Sequence, residues 1–315
     1  KDLGNYFIIG ARQSGKSSVL KAIQRAYAHD SSVDCHYLTL SGAEIMPKLA
    51  AALKVGPEAV MDTLRDTPAD HRRLFLIDEA DLFIAAEPER NYQTLQNFRS
   101  LSEEGRCYFI FAGFWKLYEQ VAFDYHSPIK NFGETLEVGP LEPEASRDLA
   151  TKPLALLNIH YQTPELVELI LEKTGRKANL IAITCNEILK QFDTGGREIT
   201  REHVEEALAS REMTSALEGW QQLAKDPVCD RLDRILVYST VKQGSFTIQE
   251  AYALLAQHGY RDVEAIKQSF ARLELAFVLK KQDKSYHYRV PLFVNYLLEL
   301  DPDYCLKMEL ADRGD

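Results

Sequence analysis

Nowhere do the 315 residues approach the roughly 18 uninterrupted apolar positions that a membrane-spanning helix needs. The most apolar pieces, Tyr6 to Ala11 and Tyr108 to Trp115, have the length of strands, so no membrane partner is expected. Cysteine is sparse. Cys35, Cys107, Cys185, Cys229 and Cys305 form no CxxC pair and mostly sit inside apolar runs, which suits buried free thiols in a reducing, cytoplasmic compartment. Positive charge is in deficit too: 37 Lys and Arg against 47 Asp and Glu leave a net charge of −10. Nucleic acid would be repelled unless one surface gathers the cations. Internal repeats and low-complexity segments are missing. An apolar strand begins within five residues of Lys1, which leaves no room for a signal peptide, and an upstream segment is expected to be missing.

Apolar residues make up 45% of the chain, enough for two or three globular domains at this length. Short strands at Tyr6–Ile9, Cys35–Leu40, Leu74–Ile77, Cys107–Ala112 and Thr135–Val138 alternate with helix-like stretches. That spacing predicts an α/β fold with a mainly parallel sheet and helices on both faces. After Gly139-Pro140 helical periodicity takes over, with starts at Glu142-Pro143-Glu144, Thr163-Pro164-Glu165 and Thr200-Arg201-Glu202. From Val228, three helical stretches (Asp230–Val241, Thr247–His258, Val263–Leu275) precede a hairpin of Phe277–Lys281 and Tyr286–Val290, which reads as a winged helix-turn-helix. Pro291 opens a last helix over Leu292–Leu300. The expected division is a core over 1–140, a helical lid over 141–212, a linker over 213–228, a winged helix over 229–300 and a tail over 301–315.

Chemistry concentrates in two places. Gly10-Ala11-Arg12-Gln13-Ser14-Gly15-Lys16-Ser17 fits G-x-x-x-x-G-K-[ST] between a strand and an amphipathic helix that continues through Ser18. Glycines there let backbone N–H groups wrap phosphates, the helix points its positive end at them, and Lys16 neutralises the outer oxygens. Ser17 would supply a hydroxyl to Mg²⁺. The apolar strand Leu74-Phe75-Leu76-Ile77 then delivers Asp78 and Glu79 at its C-terminal end, where parallel sheets bind ligands. Asp78 would hold the Mg²⁺ shell, and Glu79 would orient or deprotonate the attacking water. Together they imply a nucleoside triphosphate site with a capacity for hydrolysis. Asp78-Glu79-Ala80-Asp81 also spells a helicase signature, but the two recombinase-like domains and further motifs of that family are not found.

The P-loop Gly10-x-Arg12-x-x-Gly15-Lys16-Ser17, the strand ending Ile77-Asp78-Glu79-Ala80-Asp81, the strand Phe109-Ile110-Phe111-Ala112-Gly113 and the segment Gly139-Pro140-Leu141-Glu142-Pro143-Glu144-Ala145 resemble prokaryotic STAND-type ATPases, relatives of the AAA+ and replication-initiator ATPases. The closing Tyr288-Arg289-Val290-Pro291-Leu292-Phe293 resembles the end of the winged helix that follows the lid in those proteins. The resemblance implies an ATP/ADP switch with Mg²⁺: ADP held in a resting state between core, lid and winged helix, ATP opening the chain for self-association or a protein partner, and slow hydrolysis resetting it.

Against that family the sequence departs at three points. The strand from Cys107 ends in Ala112-Gly113-Phe114 without a Thr, Asn or Arg to sense the γ-phosphate, although Lys116 follows. In Thr174-Gly175-Arg176-Lys177-Ala178-Asn179, Ala178 stands where the family commonly has proline, which leaves Arg176 or Lys177 as candidates to reach phosphates. The upstream segment that often lines the adenine pocket lies outside the chain. Arg99 and Arg106 are candidate arginine fingers. Lys267, Gln268 and Arg272 on the third helix, with Lys280, Lys281, Lys284, His287 and Arg289 on the hairpin, form a basic cluster suited to duplex DNA, as in an initiator or transposition-type ATPase. Glu264 and Glu274 on the same helix favour an intramolecular or protein-protein role instead. Phe270, Phe277, Tyr286 and Tyr288 are expected to pack. A third reading is an interaction module that keeps nucleotide only as a structural ligand.

Overall fold

The computed structural model describes residues 3–68, 70–124, 127–192 and 196–311. It divides into two units, Lys1–Val138 and Gly139–Asp315.

In the first unit the chain runs β1 (Tyr6–Ile9), α1 (Lys16–Tyr27), β2 (Val33–Thr39), α2 (Met46–Leu53), α3 (Val60–Arg65), β3 (Arg72–Asp78), α4 (Asp81–Ala86), α5 (Gln93–Glu103), β4 (Cys107–Gly113), α6 (Trp115–Ala122) and β5 (Glu134–Glu137). The strands form one parallel sheet in the order β2-β3-β4-β1-β5, as the alternation of strand and helix predicts. Because side chains alternate across a strand, the inner strands β1, β3 and β4 serve two cores. Ile8, Leu74, Leu76, Ile110 and Ala112 pack with Leu20 of α1 on one face. Phe7, Phe75, Phe109 and Phe111 face the other way, where Phe98 of α5 stacks on Phe109 at 4.2 Å and Phe83 of α4 stacks on Phe111. Asn5 fastens the sheet below β1: its Oδ1 accepts the Phe109 amide at 2.8 Å and its Nδ2 donates to the Phe132 carbonyl at 3.1 Å.

The second unit begins with α7 (Pro143–Ala155), β6 (His160–Tyr161), α8 (Pro164–Lys173), α9 (Ala178–Lys190), β7 (Glu198–Ile199) and α10 (Arg201–Leu208). Helices start where the Glu-Pro, Thr-Pro and Thr-Arg-Glu sequences indicate, and Thr200 caps α10 in a reciprocal box with His203. The stretch read from sequence as a linker carries α11 (Arg211–Glu218) and the buried Trp220, which meets Tyr238 and Phe293 edge-on. Then follow α12 (Pro227–Thr240), β8 (Ser245–Thr247), α13 (Ile248–Gln257), α14 (Val263–Leu275), β9 (Leu279–Gln282), β10 (Ser285–Tyr288), α15 (Pro291–Glu299) and α16 (Pro302–Ala311).

The expected hairpin forms, and β8 joins it to make an antiparallel sheet in the order β8-β10-β9. Phe246, Phe270, Tyr286 and Tyr288 pack together, with Phe270 and Tyr286 ring centroids 4.5 Å apart. The stretch read as a tail is α16, whose Glu309 carboxylate pairs with Arg234 of α12. Arg272 corrects a sequence expectation. It is 1% exposed and forms two 2.8 Å hydrogen bonds with Asp233, which also accepts from Ser269, so it is not a surface cation of α14.

Candidate functional site

In a parallel sheet, loops at the C-terminal strand ends meet on one side. Here β1 and β3 are separated only by β4, so the Gly10–Lys16 loop and the Asp78-Glu79 turn both leave from that edge. Two glycines shape the loop. Gly15 has φ 105°, a left-handed conformation that favours glycine, and a Cβ on Gly10 would lie 2.7 Å from Ser14 Oγ and 3.1 Å from the Val138 carbonyl oxygen.

Lys16 opens α1, and its side chain folds back along the loop. Nζ donates to the Gly10 carbonyl at 2.9 Å and the Ala11 carbonyl at 2.8 Å. Burial lowers the Lys16 pKa, opposed by the negative field of Glu79, Asp81 and Asp78. Ser14 Oγ is buried and finds no hydrogen-bond partner among the described residues, as expected of a cradle shaped for a polar guest. Arg12, Gln13 and Ser18 are exposed around the loop, and Ser17 is half-buried.

Asp78 is 2% exposed. Its Oδ1 accepts the Glu79 amide at 3.1 Å, and its Oδ2 accepts the Tyr37 hydroxyl at 2.7 Å. Tyr37 has a raised pKa, from burial first and then from Asp78, and the Ser17 and Thr39 hydroxyls lie near the same phenol. Ser17 and Asp78, the two proposed metal residues, thus lie around one tyrosine that no sequence motif marks. Glu79 is exposed at φ 57°, a conformation few non-glycine residues adopt.

Residues 78–81 divide between site and scaffold. Asp81 accepts the Phe114 amide at 2.8 Å and the Leu117 amide at 3.2 Å, which caps α6. The same contact explains the small residue at the tip of β4: a Cβ on Gly113 would lie 2.9 Å from Asp81 Oδ2 and 3.0 Å from Leu117 Cβ, so a Thr or Asn sensor does not fit there. Lys116 pairs with Glu119 of its own helix at 2.9 Å. Arg99 pairs with Glu103. Arg106, at the opposite end of β4, donates to Glu104, to the Thr67 carbonyl and to the Arg65 carbonyl. In the second unit Arg176 has φ 57°, and Lys177 lies over the Phe277 ring at 5.8 Å.

A triphosphate with Mg²⁺ fits these groups. Backbone N–H groups, an unpartnered serine hydroxyl and a lysine held only by carbonyls suit phosphate oxygens. Among the described residues no group of three or more His, Cys, Asp or Glu could hold a metal, so Ser17 and Asp78 could hold Mg²⁺ only with phosphate oxygens and water completing the shell.

Residues 2–121 match the family described as "AAA domain". The fold is that of the P-loop AAA+ ATPases. This AAA+ fold extends over most of the chain in solved structures. A Walker-type ATPase of Pyrococcus abyssi shares 15% identity at a TM-score of 0.64, covering 93% of this chain and 90% of its own. The ORC2 protein of Aeropyrum pernix, solved as ADPNP-ADP complexes, shares 14% identity at a TM-score of 0.58, covering 98% and 89%. The ORC1 protein of Aeropyrum pernix in complex with DNA shares 16% identity at a TM-score of 0.52, covering 96% and 88%. No curated protein matches the sequence. Among the described residues no helix is long and apolar enough to cross a membrane.

Proposed function

We propose that this chain binds ATP with Mg²⁺, hydrolyses it slowly, and acts as a regulatory switch of STAND type whose nucleotide state controls partner binding or self-assembly. Support comes from the grouping at the C-terminal strand ends: the Gly10–Ser18 loop, Lys16 held at 2.8 Å and 2.9 Å by loop carbonyls, and Asp78, whose partner Tyr37 also neighbours Ser17. Lys16 would exchange its neutral carbonyl partners for phosphate oxygens, which bind an ammonium group more strongly. Glu79, exposed beside Asp78, would orient or deprotonate the attacking water, while Mg²⁺ supplies charge neutralisation of the phosphates. Nucleotide exchange shifts the arrangement only through groups that contact the γ-phosphate differently in the two states.

The test is to identify the nucleotide released on denaturing the purified protein, and to size the protein with ADP, ATP and a non-hydrolysable ATP analogue. Released ADP and assembly with the analogue support the switch. An unchanged size under every nucleotide rejects assembly control. Lys16→Ala is expected to abolish nucleotide binding, and retained affinity would remove Lys16 from the phosphate site.

A second reading, a DNA-binding initiator or transposition-type AAA+ ATPase, is favoured by the exposed Lys280, Lys281 and Lys284 on β9 and the turn after it, read as the wing of a winged helix. The DNA complex of the ORC1 protein makes the same assignment worth testing. With Arg272 buried and Lys267 beside Glu264 at 3.8 Å, base readout from α14 is poorly supported, and phosphate contact by the wing is the better form of this reading. Duplex affinity that falls steeply with salt and weakens when the three lysines are neutralised would establish it; no binding at low salt would reject it.

A further inference from the structure

We propose that Tyr37 is a positioning residue of the magnesium site, its hydroxyl fixing the Asp78 carboxylate in the orientation that receives the hydrated ion. The inference rests on the nucleotide reading above and adds a residue that the P-loop and Walker B patterns do not contain.

A buried carboxylate needs hydrogen-bond donors. Asp78 takes one from the Glu79 backbone and one from Tyr37, so the phenol is its only side-chain donor among the hydrogen bonds of the described residues. The two residues sit on adjacent parallel strands, where the register places Thr39 beside Asp78 and Tyr37 beside Leu76. Tyr37 therefore reaches along the strand direction toward the end of β3. Lys21 of α1 lies 6.0 Å from the Tyr37 ring centroid, too far to orient the hydroxyl, so it serves as a neighbouring control.

The chemistry suits an outer partner of a metal site. A phenol donates one strong, neutral hydrogen bond and brings no charge that would compete with Mg²⁺ or attract another anion. Each Asp78 oxygen keeps a lone pair after its bond to the protein, so the carboxylate can accept again without losing its support. Mg²⁺ demands near-octahedral geometry and keeps several waters, so a carboxylate free to rotate would hold its shell less well. Loss of outer partners of this kind typically weakens metal affinity about 10- to 100-fold.

The experiment is a titration of a fluorescent ADP analogue, first in EDTA and then at stepped Mg²⁺ concentrations, on wild type, Tyr37→Phe, Asp78→Asn and Lys21→Ala. In Tyr37→Phe the affinity in EDTA is expected to equal wild type, which also reports an intact fold, while the Mg²⁺ midpoint rises about tenfold. Asp78→Asn is expected to lose most of the Mg²⁺ response, and Lys21→Ala to keep it. An unchanged midpoint in Tyr37→Phe overturns the proposal. So does an equal loss of affinity with and without Mg²⁺, which would mark a purely structural role. If wild type binds the analogue under neither condition, the nucleotide reading itself fails and the Tyr37 assignment falls with it; wild-type binding with an unshifted Tyr37→Phe midpoint rejects Tyr37 alone.

Discussion

Asp81 Oδ2 lies 2.8 Å from the Phe114 amide nitrogen, and this bond ties the turn after β3 to the turn after β4. The second aspartate of the Asp78-Glu79-Ala80-Asp81 sequence thus caps a helix. Asp81→Ala leaves two amides at the start of α6 without their acceptor, and a stability loss of about 1–2 kcal/mol is expected by urea denaturation. Asp81→Asn, which keeps an acceptor oxygen, is expected to lose less. Equal stability of Asp81→Ala and wild type would show that water replaces the cap.

Glu79 combines an exposed carboxylate with φ 57°. Glu79→Gln is expected to keep ATP affinity while lowering steady-state hydrolysis by about 10²- to 10⁴-fold, the range spanned by positioned acid-base groups. Glu79→Gly relieves the backbone conformation, so it is expected to gain up to about 1 kcal/mol of stability while losing the same activity. Wild-type turnover in Glu79→Gln would remove Glu79 from the reaction.

Arg272 and Asp233 neutralise one another in a nearly dry setting. Arg272→Ala strands a buried carboxylate, and a loss of about 3–5 kcal/mol is expected in thermal or urea unfolding. Arg272→Met combined with Asp233→Leu removes both charges, and should recover most of that loss. A double variant no better than Arg272→Ala would mean that packing, and not the unpaired charge, sets the effect.

Lys177 carries the clearest pH signature. Burial lowers its pKa from 10.5 to about 8. Because the unfolded chain holds the proton up to the higher value and the folded chain does not, stability from this group rises as pH increases from about 8 to 10.5. Partial exposure and the Phe277 ring beneath the ammonium moderate the effect, which is expected to be about 2 kcal/mol. Lys177→Met should be more stable than wild type at pH 7, with the gap closing above pH 10. A gap independent of pH would show that Lys177 titrates normally in the folded state.

Local sequence was sufficient for the elements that depend on local patterns. The run Tyr6–Ile9, the glycines flanking Ala11 to Ser14, and the strand ending at Asp78 each announce themselves, because alternation of side chains and a glycine-bounded strand-to-helix turn are written over a few consecutive residues. The basic cluster was only partly legible. Exposure of Lys280 and Lys281 is expected of a hairpin turn, but the amphipathic pattern of α14 reads Arg272 as a surface cation, and Asp233, 39 residues earlier, instead holds it in the interior.

The sequence by itself determined the parallel sheet, the Gly10–Ser17 loop between β1 and α1 and the carboxylates at the end of β3, since strand alternation and Gly-Lys-Ser spacing act within a short window. Only the tertiary structure decided that Tyr37 bonds Asp78 across 41 residues, that Gly113 must stay small against Asp81, and that Arg272 is buried. Those relationships depend on strand register and side-chain packing between distant segments, and a short sequence window contains neither.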